Sequence, residues 1–175
     1  MGEPASERLL KASAVIAIEW LSTPAINLMT NKKILNTIER IDMTLRTYTG
    51  GYQRFEDDHY KGGNPWVIAT LWMANYYLET GENKKARECF DFVLKTAGKH
   101  GYLAEQIDNN QMAPAWVIGL GWSHAMFINV LEKLACVIIK DGTEDKEEVD
   151  NLIFSLYDKE KDAQKLRILK GEDKE

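Results

Sequence analysis

Residues 66–98, WVIATLWMANYYLETGENKKARECFDFVLKTAG, carry the pattern from which the fold is read. Apolar side chains fill most positions from Trp66 to Leu78. After Gly81 a second helical pattern begins, with Cys89 inside it. Gly81 closes the first helix and Asn83 opens the second, which predicts a helical hairpin over 66–80 and 83–97. Pro65 stands just ahead of it, where a missing N–H is tolerated.

Working outward, the same periodicity continues in both directions. Thr30 or Asn31 can cap a helix in which Ile34, Leu35, Ile38, Ile41 and Leu45 form one stripe, ended by Gly50-Gly51. Ser6 can cap an earlier helix over 7–21 that stops at Ser22-Thr23-Pro24. Downstream, an apolar helix is predicted from about Val117 to Ile139. A last amphipathic helix follows Asp141-Gly142 and frays into the charged tail 171–175. No alternating stretch is long enough to insist on a strand. The expectation is an all-α chain of six helices, one unit over 1–175.

A Gly turn between an aromatic helix and an Ala-containing one also resembles a tetratricopeptide hairpin. That architecture repeats at a fixed period, and no second copy precedes residue 66 or follows residue 101.

Composition narrows the function. The 175 residues carry a formal charge of −5, with 45% hydrophobic and 28% charged residues, values of an ordinary globular domain. Four of the five negative charges fall in residues 140–175, which leaves a near-neutral body with no basic stripe. Neither nucleic acid nor an anionic membrane surface is an expected partner. The apolar run Ala12–Leu21 is broken by Glu19 and lacks a cleavage pattern, so a cytoplasmic chain without a targeting segment is expected. Cys89 and Cys136 lie in helical patterns without CxxC spacing and read as buried thiols. His59, His100 and His124 lack metal-ligand spacing, and no metal or cofactor is expected. Adjacent helical residues point about 100° apart, which disfavours a catalytic triad built on Ser123 and His124.

Two connections, before residue 66 and before residue 117, are longer than helix packing requires, and such loops are usually functional. The first crowds Arg54, Asp57, Asp58, Tyr60, Asn64 and Trp66 into a short span. Read plainly, it is a surface loop with an Arg–Asp pair and an anchoring Trp. Read functionally, its carboxylates, guanidinium and flat rings suit the hydroxyls and apolar faces of a sugar. The second loop sets Glu105 among amides, glycines and aromatics.

Taken in order, GGYQRFEDDHYKGGNPWVIATLWMANYY, GYLAEQIDNN and WVIGLGWSHAMFINVL resemble the C-terminal part of the catalytic domain of glycoside hydrolase family 15. That family includes glucoamylases, glucodextranases and some trehalases. The likeness covers about residues 48–134 and continues more weakly back to Leu10. It implies a partial (α/α)6 toroid, a six-hairpin glycosidase fold of which this chain would be about half. It further implies that Glu105 is the catalytic general base and that Arg54 with Asp57 or Asp58 binds sugar hydroxyls. Tyr60 and Trp66 would line the pocket, and Trp122 would shape the wall near Glu105.

The implied reaction is inverting hydrolysis of an α-linked glucoside or oligosaccharide. One carboxylic acid protonates the leaving oxygen while a carboxylate about 6.5–9.5 Å away takes a proton from water. The family's acid lies on a segment without counterpart here, and Lys11 stands where related sequences carry an acidic residue. The chain therefore reads as a fragment, a split subunit or a truncated reading frame. Its expected partners are a separate chain supplying the other half or a second copy of itself. A catalytically dead sugar-binding scaffold and a helical interaction module remain the alternative readings.

Overall fold

The computed structural model describes residues 31–140. Among them are four helices, α1 (Lys32–Thr44), α2 (Val67–Glu79), α3 (Asn83–Thr96) and α4 (Gly121–Lys140), a 3-10 turn (Tyr60–Gly62), and two strands, β1 (Ala104–Ile107) and β2 (Pro114–Ile118). The helices expected over 7–21 and after Gly142, and the tail 171–175, lie outside the described residues. No helix among the described residues is long and apolar enough to cross a membrane.

The fold is mainly helical, and α2 is its axis. Val67, Leu71, Ala74 and Tyr77 are fully buried, and so are most of their neighbours on every side of the helix. A helix apolar all round belongs in a core. Both α3 and α4 pack on α2 and on each other. The exposed face of α3 is charged, and its buried face is Ala86, Cys89, Phe90 and Val93. Along α4, Met126, Val130 and Leu134 recur every fourth residue and are buried. Phe127 stacks on Phe90 at 4.8 Å between ring centroids. Lys133 Nζ pins α4 to α2 by donating to Asn75 Oδ1 at 2.7 Å and Glu79 Oε1 at 2.6 Å.

The Asn31 side chain caps α1, accepting from Lys33 N at 3.0 Å. Its stripe docks through Ile38, Ile41 and Leu45, whereas Leu35 is exposed. The helix ends at Thr44 rather than running on toward Gly50. A tight reversal follows, closed by Gln53 N to Leu45 O at 2.9 Å and Thr47 N to Gly51 O at 2.8 Å. Gly51 is obligatory: a Cβ there would lie 2.6 Å from the Phe92 ring and 2.7 Å from Pro65.

The reversal lets Asp42 meet Tyr52 and Tyr77. The Tyr52 hydroxyl donates to Asp42 Oδ1, and the Tyr77 hydroxyl lies 2.6 Å from the same carboxylate. Lys85 Nζ adds a longer contact at 3.7 Å. Burial is the main cause holding both phenols well above their ordinary range.

Three expectations need correction. The all-α reading misses the antiparallel pair β1–β2, and the helix expected from Val117 begins at Gly121, with residues up to Ile118 belonging to β2. Strand β1 is only four residues long, and the pair's register slips by one between Ala104 and Gln106. A bulged ribbon of that length leaves no clean alternation to read. Cys89 is buried as expected, whereas Cys136 is exposed.

Candidate active site

Single antiparallel bridges stitch the loops together at one edge of the helices. Arg46 pairs with Tyr52, Tyr52 with Trp66, and Trp66 with Gln106. Gln106 in turn pairs with Ala115 inside the hairpin. Trp66 N donates to Tyr52 O at 2.8 Å, and Ile107 N to Pro65 O at 3.0 Å. The ladder thereby lays residue 66 beside residue 106, far apart in sequence, and sets Glu105 one residue from that rung.

In the first loop, Arg54 is clamped on two edges. Its Nε donates to Asp58 Oδ2 at 2.8 Å and its Nη2 to Asp58 Oδ1 at 3.0 Å. Asp58, 1% exposed, also accepts from Tyr60 N at 3.1 Å. The guanidinium carbon lies 4.1 Å from the Trp66 ring centroid, 5.1 Å from Tyr60 and 5.2 Å from Phe55. Such a fork is fixed in plane and orientation. The Arg54 side chain remains 35% exposed, so a ligand can still reach it.

The two aspartates diverge. Asp58 turns inward onto Arg54, while Asp57 is exposed and holds a left-handed backbone at φ 58°. Tyr60 is half exposed, its ring 6.2 Å from that of the buried Trp66. Arg54, Asp58, Tyr60 and Trp66 thus form one cluster, with Asp57 at its rim.

Glu105 lies on β1, half-buried, and accepts no side-chain hydrogen bond among the described residues. Two nearby polar side chains, Asn109 and Ser123, are engaged elsewhere. Asn109 ties three loops: its Oδ1 accepts from Thr49 Oγ1 at 3.0 Å, its Nδ2 donates to Gly63 O at 3.1 Å, and its N donates to Asn64 Oδ1 at 3.2 Å. Ser123 Oγ donates to Ala104 O at 3.1 Å, and His124 Nε2 accepts from Leu103 N at 3.2 Å. Those two bonds seat the first turn of α4 against β1. Trp122, in that turn, is 55% exposed.

Gln106 is fully buried, yet neither its amide nitrogen nor its oxygen has a partner, and Trp66 Nε1 is likewise buried and unpaired. Bridge partners project side chains from the same face. Three orphaned polar atoms on neighbouring residues make the wall behind Trp66 a place for ordered water or a polar ligand group.

Two residues escaped the sequence reading. Lys61 Nζ sits 4.3 Å from the Trp116 ring centroid, and both backbones are left-handed, at φ 54° and φ 65°. Trp116 with Val117 stands opposite Glu105, because the register slip sets two residues of β2 against one of β1. The only cue in the sequence is the triplet Trp116-Val117-Ile118 between Pro114 and Gly119, a short β-forming run.

This chain is similar to an uncharacterized glycosyl hydrolase of Methanocaldococcus jannaschii, 33% identical over 111 residues, a match covering 56% of the chain and 18% of that protein. It is also similar to trehalase 1 of Sulfolobus acidocaldarius, 29% identical over 102 residues, covering 57% of the chain and 18% of the relative. Trehalase 2 of the same organism is 31% identical over 80 residues, covering 45% of the chain and 14% of the relative. The chain thus spans less than a fifth of the length of the curated relatives it matches. No family model and no solved structure matches it.

Proposed function

We propose that the chain is the base-bearing part of an inverting α-glucoside hydrolase of glycoside hydrolase family 15, working in the cytoplasm within a toroid of paired helices. The observation that carries this reading is the Arg54 cluster: a guanidinium locked by Asp58 and lying 4.1 Å from Trp66, one rung from the strand of Glu105. Similarity to glycosyl hydrolase and trehalase sequences supports it.

In this reading the exposed edge of Arg54 and the exposed Asp57 carboxylate take sugar hydroxyls, the half-exposed Tyr60 takes the apolar ring face, and the buried Trp66 lines the pocket from behind Arg54. Asp58 holds Arg54 in place. Glu105 removes a proton from the attacking water, and the general acid comes from outside these 175 residues. Glucoamylase-like action on α-1,4-linked chains and trehalose cleavage both fit this chemistry, because the residues named make only one side of a sugar site.

The test is Trp66 fluorescence in a background where Trp20, Trp72, Trp116 and Trp122 are phenylalanine. Millimolar maltose, trehalose or an iminosugar is expected to change the emission, and Arg54→Ala to abolish that change. An unresponsive Trp66 in a cooperatively folded protein would contradict the proposal.

A further inference from the structure

The clamp of Arg54 on Trp66 has a counterpart farther out. Lys61 Nζ lies 4.3 Å from the Trp116 ring centroid and 5.9 Å from that of Tyr60, and Tyr60 lies 6.2 Å from Trp66. Lys61 therefore bridges Tyr60 of the buried cluster to Trp116 on β2, as Arg54 bridges Tyr60 to Trp66. Lys61 lies over the Trp116 ring, yet nearly half of the residue stays exposed. A cation over an indole steadies the ring at little cost in water.

Maintaining this arrangement is unfavourable for the backbone. Lys61 and Trp116 both occupy the left-handed region, which a bulky side chain enters only when its surroundings impose it. The bulge holds Trp116 and Val117 opposite Glu105, and bulges re-aim side chains beside working sites. An exposed indole at 48%, braced and displayed in this way, has no packing duty among the described residues that explains it.

We propose that Trp116, braced by Lys61, is a stacking platform for a second sugar of an α-linked oligosaccharide whose first sugar occupies the Arg54–Trp66 cluster. The platform rests on the function proposed above and adds a preference for chain length. A monosaccharide leaves it empty; a trisaccharide reaches it.

The experiment follows the five indole N–H resonances of the full chain, assigned by single Trp→Phe variants, during titration with glucose and with maltotriose. Glucose is expected to move the Trp66 signal alone, and maltotriose to move both Trp66 and Trp116. Trp116→Gly suits the left-handed backbone and should fold at least as well as the parent. It should weaken maltotriose about tenfold, on the order of one lost aromatic contact, and leave glucose binding within about a factor of two. If maltotriose shifts Trp66 while Trp116 stays still, or if Trp116→Gly binds both sugars like the parent, the platform is wrong and the glucoside site stands. If neither sugar moves any indole signal, the platform and the glucoside reading fall together.

Discussion

The helical body and the loop edge of this molecule are built to opposite standards. In the body, Tyr52 and Tyr77 share the Asp42 carboxylate, Phe90 stacks on Phe127, and Lys133 is paired twice. At the edge, Trp66 Nε1 and both polar atoms of the Gln106 amide are buried without partners, against Asn83 Oδ1 alone among the described residues of the body. Every described non-glycine residue with a left-handed backbone, Asp57, Lys61, Met112 and Trp116, is also there. Unmet hydrogen bonds and backbone strain persist where the surroundings over-determine them, and together they mark working surfaces. The body supplies the stability, and strained backbone and unpaired buried groups at the edge offset part of it.

The contrast can be broken first in the body. Phe90→Ala empties a fully buried, stacked position and should cost about 3–5 kcal/mol, measured by chemical denaturation. A loss under about 1 kcal/mol would mean that the helices do not pack as described. Asp58→Ala sharpens the comparison from the other side. It removes the buried acceptor of Arg54 and of Tyr60 N, and about 1–3 kcal/mol should go with it. An unchanged midpoint would show that the Arg54 clamp is slack in solution.

The third prediction concerns pH. Burial pushes the Cys89 thiol up to about 12, so between the unfolded thiol's value near 8.5 and that figure the folded chain binds the extra proton. The associated stability is fully present below about pH 8.5 and is lost as pH rises toward 12. The raised Tyr52 and Tyr77 phenols act in the same sense at higher pH. The melting temperature should fall steadily above about pH 8.5, and Cys89→Ala should flatten the first part of that slope. The smallest effect belongs to Arg46, whose pairing with Glu88 is exposed on both sides. Arg46→Ala should move stability by about 0–1 kcal/mol.

What was legible beforehand follows the same division. Helices α2 and α3 were readable because Pro65, Gly81 and Asn83 state their boundaries locally. The Arg54, Asp58, Tyr60 and Trp66 cluster was legible through its crowding in one loop and through a family likeness. The hairpin was not, because Trp116-Val117-Ile118 runs straight into the apolar pattern of α4 and its bulge erases the alternation. Nor could spacing show that Asp58 rather than Asp57 holds Arg54. A left-handed turn at Asp57 makes that choice, and only the folded backbone reveals it.

The central claim is that the edge presents Glu105 as a base to water beside a bound glucoside. Its most direct measurement is glucose release by an assembled enzyme containing this chain and a general acid, comparing the parent with Glu105→Gln. Turnover should fall by about 100-fold or more, while KM stays within about a factor of two, because a general base acts in the transition state and not in binding. The melting temperature should not change, since Glu105 accepts no side-chain hydrogen bond among the described residues. A Glu105→Gln enzyme that keeps more than half of the parent turnover would contradict the account.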